Sequence, residues 1–332
     1  MSLRTKFGFT VCAVLTVLVL AAGMAAGEDE GLDVSARSFV IMDAKTGQIL
    51  LSLNPQLFLP PASTLKVMTA MEVAEHLKMD DTVTVSRYAA SAPPSKLGIK
   101  PGETYTVRDL LYALMLKSAN DAARALGEKV CGSEADFAQQ LTQDVRQWGA
   151  YRTTCATANG LPAENQFTTA EDLARMFRRA MSNPELAKIM STKYYTIPGR
   201  GEVRNHNRFL FTTPLAVAGK TGYTRAAKHT FVGMFKNGDH EIIVSMMGSP
   251  NKGKWANLRT LVEKGFELEG APIAKLPADE EKLWFAKRSP SKAKRIHRRS
   301  SHKRRCKVVV SSTTSVPAKK RAAVKRRSRA GD

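Results

Sequence analysis

The chain has 332 residues and a net charge of +21, with 51 Lys and Arg against 30 Asp and Glu. Its length allows one large domain or two modest ones. Residues 287–332 hold 18 of the basic residues and a single acid, Asp332, so the rest is close to neutral and the basic excess says nothing about the surface of the body. Four cysteines are too few for a disulfide framework. Cys12 lies in the first segment and Cys306 in the basic one, which leaves Cys131 and Cys155 either to bridge or to stay as buried thiols. No Cys/His cluster has zinc-ligand spacing, so no metal and no cofactor are expected.

Arg4 and Lys6 precede an uncharged run from Phe7 to Gly27, and Glu28-Asp29-Glu30 follows. That order reads as an export signal over residues 1–27, with Ala25-Ala26-Gly27 as the small residues near a cleavage site. The run is also about as long as an uncleaved membrane anchor needs. Either way the body is expected outside the cytoplasm, in the periplasm or on the extracytoplasmic face of a bacterial envelope. Two β-rich runs, 38–43 and 48–53, flank the turn Ala44-Lys45-Thr46-Gly47. Behind Pro60-Pro61, a helix that is apolar nearly all round runs from Ser63, its starting residue, to about Leu77.

A short strand is expected at Thr82–Val85, and Thr106 caps a helix that continues through Met115. Lys117–Asp121 interrupts the apolar pattern, and a second helix runs from about Asp121 to Lys129. Helical segments follow at 134–148 and 169–181, with Asn159-Gly160-Leu161-Pro162 as the loop between them. Strands return at 215–223, 229–235 and 241–247, with Asn237-Gly238 turning between the last two. A helix from about Lys254 to Phe266 closes a body of residues 28–268. The expected fold class is α/β of the α+β kind: one mixed, largely antiparallel sheet covered by helices, with a helical subdomain inserted. Residues 269–286 read as a linker, and 287–332 as a basic tail too poor in apolar residues to fold alone.

Chemistry points to three short motifs. Ser63 and Lys66, three apart on a helix, share a face, so hydroxyl and amine can touch. A lysine is almost never fully buried unless something pairs with it, and here it stands near a helix N-terminus that favours developing negative charge. Ser-x-x-Lys alone is weak, since it recurs at Ser249/Lys252, Ser289/Lys292, Ser291/Lys294 and Ser300/Lys303. Ser118-Ala119-Asn120, at the break between two helices, and Lys220-Thr221-Gly222, in a strand, complete the set. In this order the three form the signature of class A β-lactamases and penicillin-binding proteins.

Similar phrases flank the motifs at Ser38–Gln48, Thr106–Leu111, Ser118–Ala123 and Lys220–Thr224. Over roughly residues 35–268 the chain resembles the low-molecular-mass penicillin-binding proteins, the serine D-alanyl-D-alanine carboxypeptidases of peptidoglycan. Residue chemistry and the resemblance assign the same roles to Ser63, Lys66, Ser118, Asn120 and Lys220. Ser63 attacks a carbonyl once Lys66, made neutral by burial and by a second cation, takes its proton. Lys220, helped by the Thr221 hydroxyl, holds the terminal carboxylate of the substrate. Ser118 passes a proton to the leaving D-alanine, and Asn120 orients Lys66 and the substrate amide. The N–H groups of Ser63 and Tyr223 meet the oxyanion, and Gly222 lets the substrate approach the strand closely. The implied activity is removal of the terminal D-alanine from a peptidoglycan stem pentapeptide, with β-lactam antibiotics as inhibitors.

A β-lactamase on this scaffold would need a Glu that directs water onto the acyl-enzyme. Glu164, in Pro162-Ala163-Glu164-Asn165, lacks the acidic-x-acidic-Leu-Asn setting of that residue. A DD-endopeptidase cutting cross-links is left open by these residues. His206, in Arg204-Asn205-His206-Asn207, reads as catalytic or as a structural hydrogen-bonding residue. Glu164, Glu171 and Asp172 read as loop and helix-start acids.

The family usually appends a β-rich domain and an amphipathic C-terminal helix, for which the 18 residues 269–286 leave no room. The basic tail has almost no aromatics, so no nucleic acid is expected. It suits an anionic membrane surface or wall polymer, making an envelope-binding protein the alternative reading.

Overall fold

The computed structural model describes residues 32–250 and 253–278, all within one compact unit. The expected export signal, the second half of the linker and the basic tail lie outside the described residues. Two strands, β1 (Ser38–Asp43) and β2 (Ile49–Leu53), pair antiparallel around the expected turn. A 3-10 turn, Ala62–Leu65, leads into α1 (Lys66–His76). Next come β3 (Thr82–Thr84), α2 (Arg87–Ala90) and β4 (Thr104–Thr106). The helical middle holds α3 (Val107–Leu116), α4 (Asn120–Cys131), α5 (Glu134–Gln147), α6 (Ala170–Met181) and α7 (Pro184–Ser191). A hairpin of β5 (Tyr194–Ile197) and β6 (Gly201–Arg204) and a short α8 (Phe209–Thr212) follow. The chain then returns to the sheet as β7 (Ala216–Thr224), β8 (Lys228–Asn237) and β9 (His240–Ser249), and α9 (Lys254–Leu268) closes it.

The main sheet has the order β2-β1-β9-β8-β7. The α+β class holds, but the sheet is antiparallel at every pairing rather than mixed. A hairpin and a meander need only tight turns, whereas a parallel pair would need a crossover connection. Successive side chains of a strand point to opposite faces, and this divides the core in two. Phe39, Ile41, Phe231, Phe235, Ile242, Val244 and Met246 face Leu258, Leu261, Val262 and Phe266 of α9. Val40, Met42, Val232, Ile243 and Met247 face the larger cluster under α1, α3, α4 and α6. Each fully buried Val, Ile, Leu or Phe there contributes about 1.5–3 kcal/mol. The interior strand β1 is buried on both faces, so Ser38-Phe39-Val40-Ile41-Met42 shows no alternation.

Several elements were not legible. The α7 helix has a clear start, with Asn183 accepting from the Glu185 and Leu186 amides and Pro184 at the first helical position. Its eight residues are too few to show a period. The β5–β6 hairpin packs on α3 through Tyr195, whose ring stacks 3.6 Å from Tyr112 and whose hydroxyl reaches Asp109 at 2.8 Å. Thr106 does cap α3, accepting from the Asp109 amide at 3.1 Å. Among the described residues no helix is long and apolar enough to cross a membrane. Cys131 and Cys155 are free thiols, so no bridge joins them.

Candidate active site

The site begins with an unusual backbone. Pro61 takes helical angles and Ala62 follows at φ 49°. That left-handed region costs a residue with a Cβ about 1–2 kcal/mol, and the surroundings hold it in place. The Pro61 carbonyl accepts from Thr64 Oγ1 at 2.5 Å and from Thr230 Oγ1 at 3.0 Å. Gly160 lies so close beneath that a Cβ on it would fall 1.9 Å from the Ala62 carbonyl oxygen. Ser63 therefore sits inside the 3-10 turn and not at the start of α1 as expected; Leu65 occupies that position, without a side-chain cap. Its hydroxyl is turned to Lys66 instead.

Lys66 is fully buried. Its Nζ donates to Ser63 Oγ at 3.1 Å, to Asn120 Oδ1 at 2.8 Å and to the Asn159 carbonyl. Asn120 opens α4 and its Nδ2 donates to the Pro93 carbonyl at 3.0 Å, which fixes Oδ1 toward the amine. Ser118 lies in the turn between α3 and α4 at φ 61°. Its Oγ accepts from Lys220 Nζ at 3.0 Å, and the same ammonium group reaches the Thr221 carbonyl at 2.9 Å. Lys220 is 1% exposed on the edge strand β7.

That strand runs directly against the Ser63 turn: a Cβ on Gly222 would stand 2.9 Å from the Ser63 nitrogen and 2.3 Å from Thr230 Oγ1. Thr221 is partly exposed and Tyr223 is 47% exposed beside the His229 ring. All eight expected residues thus fall on three neighbouring segments, the Ser63 turn, the α3–α4 turn and β7.

Electrostatics follow from burial. Burial pushes the Lys66 amine well below its ordinary value, the Lys220 charge pushes it further, and Glu134 and Asp121 pull it partly back. Burial alone brings Lys220 down to about 7. An arriving carboxylate would favour the charged form of Lys220 again. His206 keeps an exposed surface although many protein atoms surround it. Burial, then Lys220, Lys117 and Lys254, brings it down to about 4, so it is neutral at pH 7. Its backbone N–H donates to the Leu116 carbonyl at 3.1 Å.

Three supporting residues escaped the sequence reading. The buried Glu134 carboxylate accepts from the Ala158 amide and Asn159 Nδ2, each at 3.0 Å, with Arg124 Nε 3.0 Å away. It thereby holds the loop whose carbonyl meets Lys66. Asp121 accepts from the amides of Leu97, Gly98 and Ile99 at 2.9, 2.7 and 3.2 Å, tying that loop to the start of α4. The Asn159 carbonyl is backbone and has no sequence signature at all. Glu134 follows Ser133 and reads as an ordinary first-turn acid, so nothing local marks it. Glu164 is exposed, while Glu171 and Asp172 do open α6.

A family model described as D-alanyl-D-alanine carboxypeptidase matches residues 23–251. D-alanyl-D-alanine carboxypeptidase DacB2 of Mycobacterium tuberculosis is 34% identical over 247 residues, covering 71% of this chain and 84% of that protein. D-alanyl-D-alanine carboxypeptidase DacC of Escherichia coli is 34% identical over 235 residues, covering 66% of this chain but only 58% of the longer relative. Among solved structures, penicillin binding protein 5 from Haemophilus influenzae superposes with a TM-score of 0.66 at 30% identity, covering 70% of this chain and 71% of its own. By family match, sequence identity and fold together, this chain belongs to the D-alanyl-D-alanine carboxypeptidase family of penicillin-binding serine peptidases.

Proposed function

We propose that this chain removes the terminal D-alanine from peptidoglycan stem pentapeptides through an acyl-enzyme on Ser63. One observation carries the reading: the fully buried Lys66 amine lies 3.1 Å from Ser63 Oγ and 2.8 Å from Asn120 Oδ1. A buried amine that is neutral accepts the hydroxyl proton as oxygen bonds to the peptide carbonyl. The resulting oxyanion is met by the N–H groups of Ser63 and Tyr223. Lys220 and Thr221 hold the terminal carboxylate, and Ser118, already bonded to Lys220, passes its proton to the departing D-alanine nitrogen and is restored by the proton that Lys66 took from Ser63. Water then attacks the acyl carbonyl and gives a proton to the neutral Lys66, which returns it to the Ser63 oxygen as that oxygen leaves. The test is release of free D-alanine from a pentapeptide ending in D-Ala-D-Ala, run beside Ser63→Ala. Release should occur with the parent and be absent in the variant; equal release from both would refute the assignment.

A β-lactam presents the same acyl group and carboxylate, so it acylates Ser63. Its ester should persist, because Glu164 is exposed on a surface loop and offers no buried base for water. Rapid turnover of penicillin would favour the β-lactamase reading. The cross-linked dimer is the second substrate to assay, since a DD-endopeptidase uses the same groups.

Residues 1–27 are proposed to export the body, residues 28–268, to the periplasm or extracytoplasmic face. Beyond the linker 269–286, the tail 287–332 is proposed to hold the enzyme to anionic membrane surface or wall polymer by charge. Deleting 287–332 should abolish salt-sensitive sedimentation with envelopes and spare activity on a soluble peptide. Unchanged sedimentation of the truncated protein refutes the tether.

A further inference from the structure

We propose that Glu72, His76 and Asp144 form a binding site for a divalent transition-metal ion of the zinc type, at the end of α1 remote from Lys66. Glu72 and His76 are four apart on α1 and so share a face, and Asp144 comes from the neighbouring helix α5. One ligand atom from each lies within 4.8 Å of both others. His76 Nε2 is 3.0 Å from Glu72 Oε1. Two atoms bonded to one zinc at about 2.0–2.1 Å stand roughly 3.3 Å apart in tetrahedral geometry, so the spacing suits a shared ion.

A second observation points the same way. Glu72 is fully buried, yet among the described residues its carboxyl oxygens meet no polar group other than the two remaining members of the cluster, His76 and Asp144. A carboxylate buried without donors is costly unless a cation or a proton compensates it.

The remaining requirements are also met. His76 is exposed and Asp144 is partly exposed, which gives an ion a path in and leaves positions for water. Gln140 Nε2 donates to Asp144 Oδ2 at 2.7 Å and so orients that carboxylate. One imidazole with two carboxylates suits zinc or manganese better than calcium or magnesium, which favour oxygen alone. His76 follows Lys66 by ten residues, or about 15 Å along the helix, too far for the ion to touch the acyl group. Its role would be to fasten the C-terminal turn of α1 to α5. Cysteine and histidine spacing did not reveal the site, because two of its three donors are carboxylates.

The experiment uses the full chain, stripped with a chelator, dialysed free of it and titrated with zinc chloride by calorimetry. The parent should bind one more zinc ion than His76→Ala, Asp144→Asn or Glu72→Gln, or bind it at least about tenfold more tightly. Zinc should raise the thermal midpoint of the parent and leave those of the variants in place. His297, His302 and Cys306 offer donors of their own in the tail, so the difference between proteins is the reading, not the total. D-alanine release should be the same in parent and His76→Ala. Equal stoichiometry and affinity in parent and variants overturn the site. Should Glu72→Gln fail to fold, His76→Ala, at an exposed position, decides by itself.

Discussion

Lys220 Nζ donates a 3.0 Å hydrogen bond to Ser118 Oγ, joining the edge strand β7 to the turn between α3 and α4. The hydroxyl proposed to protonate the leaving group is thus bonded to the ammonium proposed to hold the substrate carboxylate. One buried cation serves both events, and the pH at which it loses charge should limit both binding and turnover.

Burial sets Lys220 at about 7 in the free enzyme. Its charged form binds the carboxylate, so kcat/KM should fall as pH rises through that region. A bound carboxylate favours the ammonium, so the basic limb of kcat should lie at higher pH than that of kcat/KM. Lys66 works in its neutral form, and its lowered value puts the acid limb well below the ordinary lysine range. Steady-state profiles on a soluble pentapeptide check this. Coincident basic limbs for kcat and kcat/KM would argue against Lys220 as the carboxylate ligand.

Lys66→Arg should not preserve activity. A guanidinium stays charged at any working pH, so it accepts no proton from Ser63 although it can reach Asn120. A loss of about 100- to 10,000-fold in acylation by a fluorescent penicillin is expected. Near-parental labelling would show that a positive charge, rather than a base, is what the site needs.

Gly222→Ala should damage catalysis without unfolding the protein. The added Cβ would stand 2.9 Å from the Ser63 nitrogen and 2.3 Å from Thr230 Oγ1, so β7 has to move off the Ser63 turn. A shift near 1 Å in the oxyanion region costs about 100-fold in kcat. An unchanged kcat, with circular dichroism confirming the fold, would mean that the strand need not lie this close.

Glu134→Gln should weaken both fold and activity. The carboxylate faces Arg124 at 3.0 Å and accepts from Ala158 and Asn159. Breaking a buried pair from one side costs about 3–5 kcal/mol, and the Asn159 carbonyl that meets Lys66 loses its support. Denaturant melts and D-alanine release measured together test this. If stability falls but kcat holds, Glu134 supports the fold without positioning the base.

Much of the site could be read from the sequence because its parts are local motifs. Three residues on a helical turn fix Ser63 beside Lys66, and Lys220 to Tyr223 form a strand on any reading of their neighbours. The expected strands at 38–43 and 241–247 correspond to β1 and β9, whose apolar runs mark them as interior. Local pattern could not show that Ser63 lies in a 3-10 turn behind a left-handed Ala62, since Thr230 and Gly160, remote in sequence, impose that conformation.

Order and spacing of side chains along the chain therefore determined which groups take part, because short-range helix and strand geometry is enough to pair them. Tertiary packing decided their protonation and their support. Burial of two lysines, the Glu134 brace and the Glu72–His76–Asp144 cluster all arise from contacts between segments far apart in the chain. Desolvation and charge depend on what surrounds a group in space, and only the folded chain supplies those surroundings.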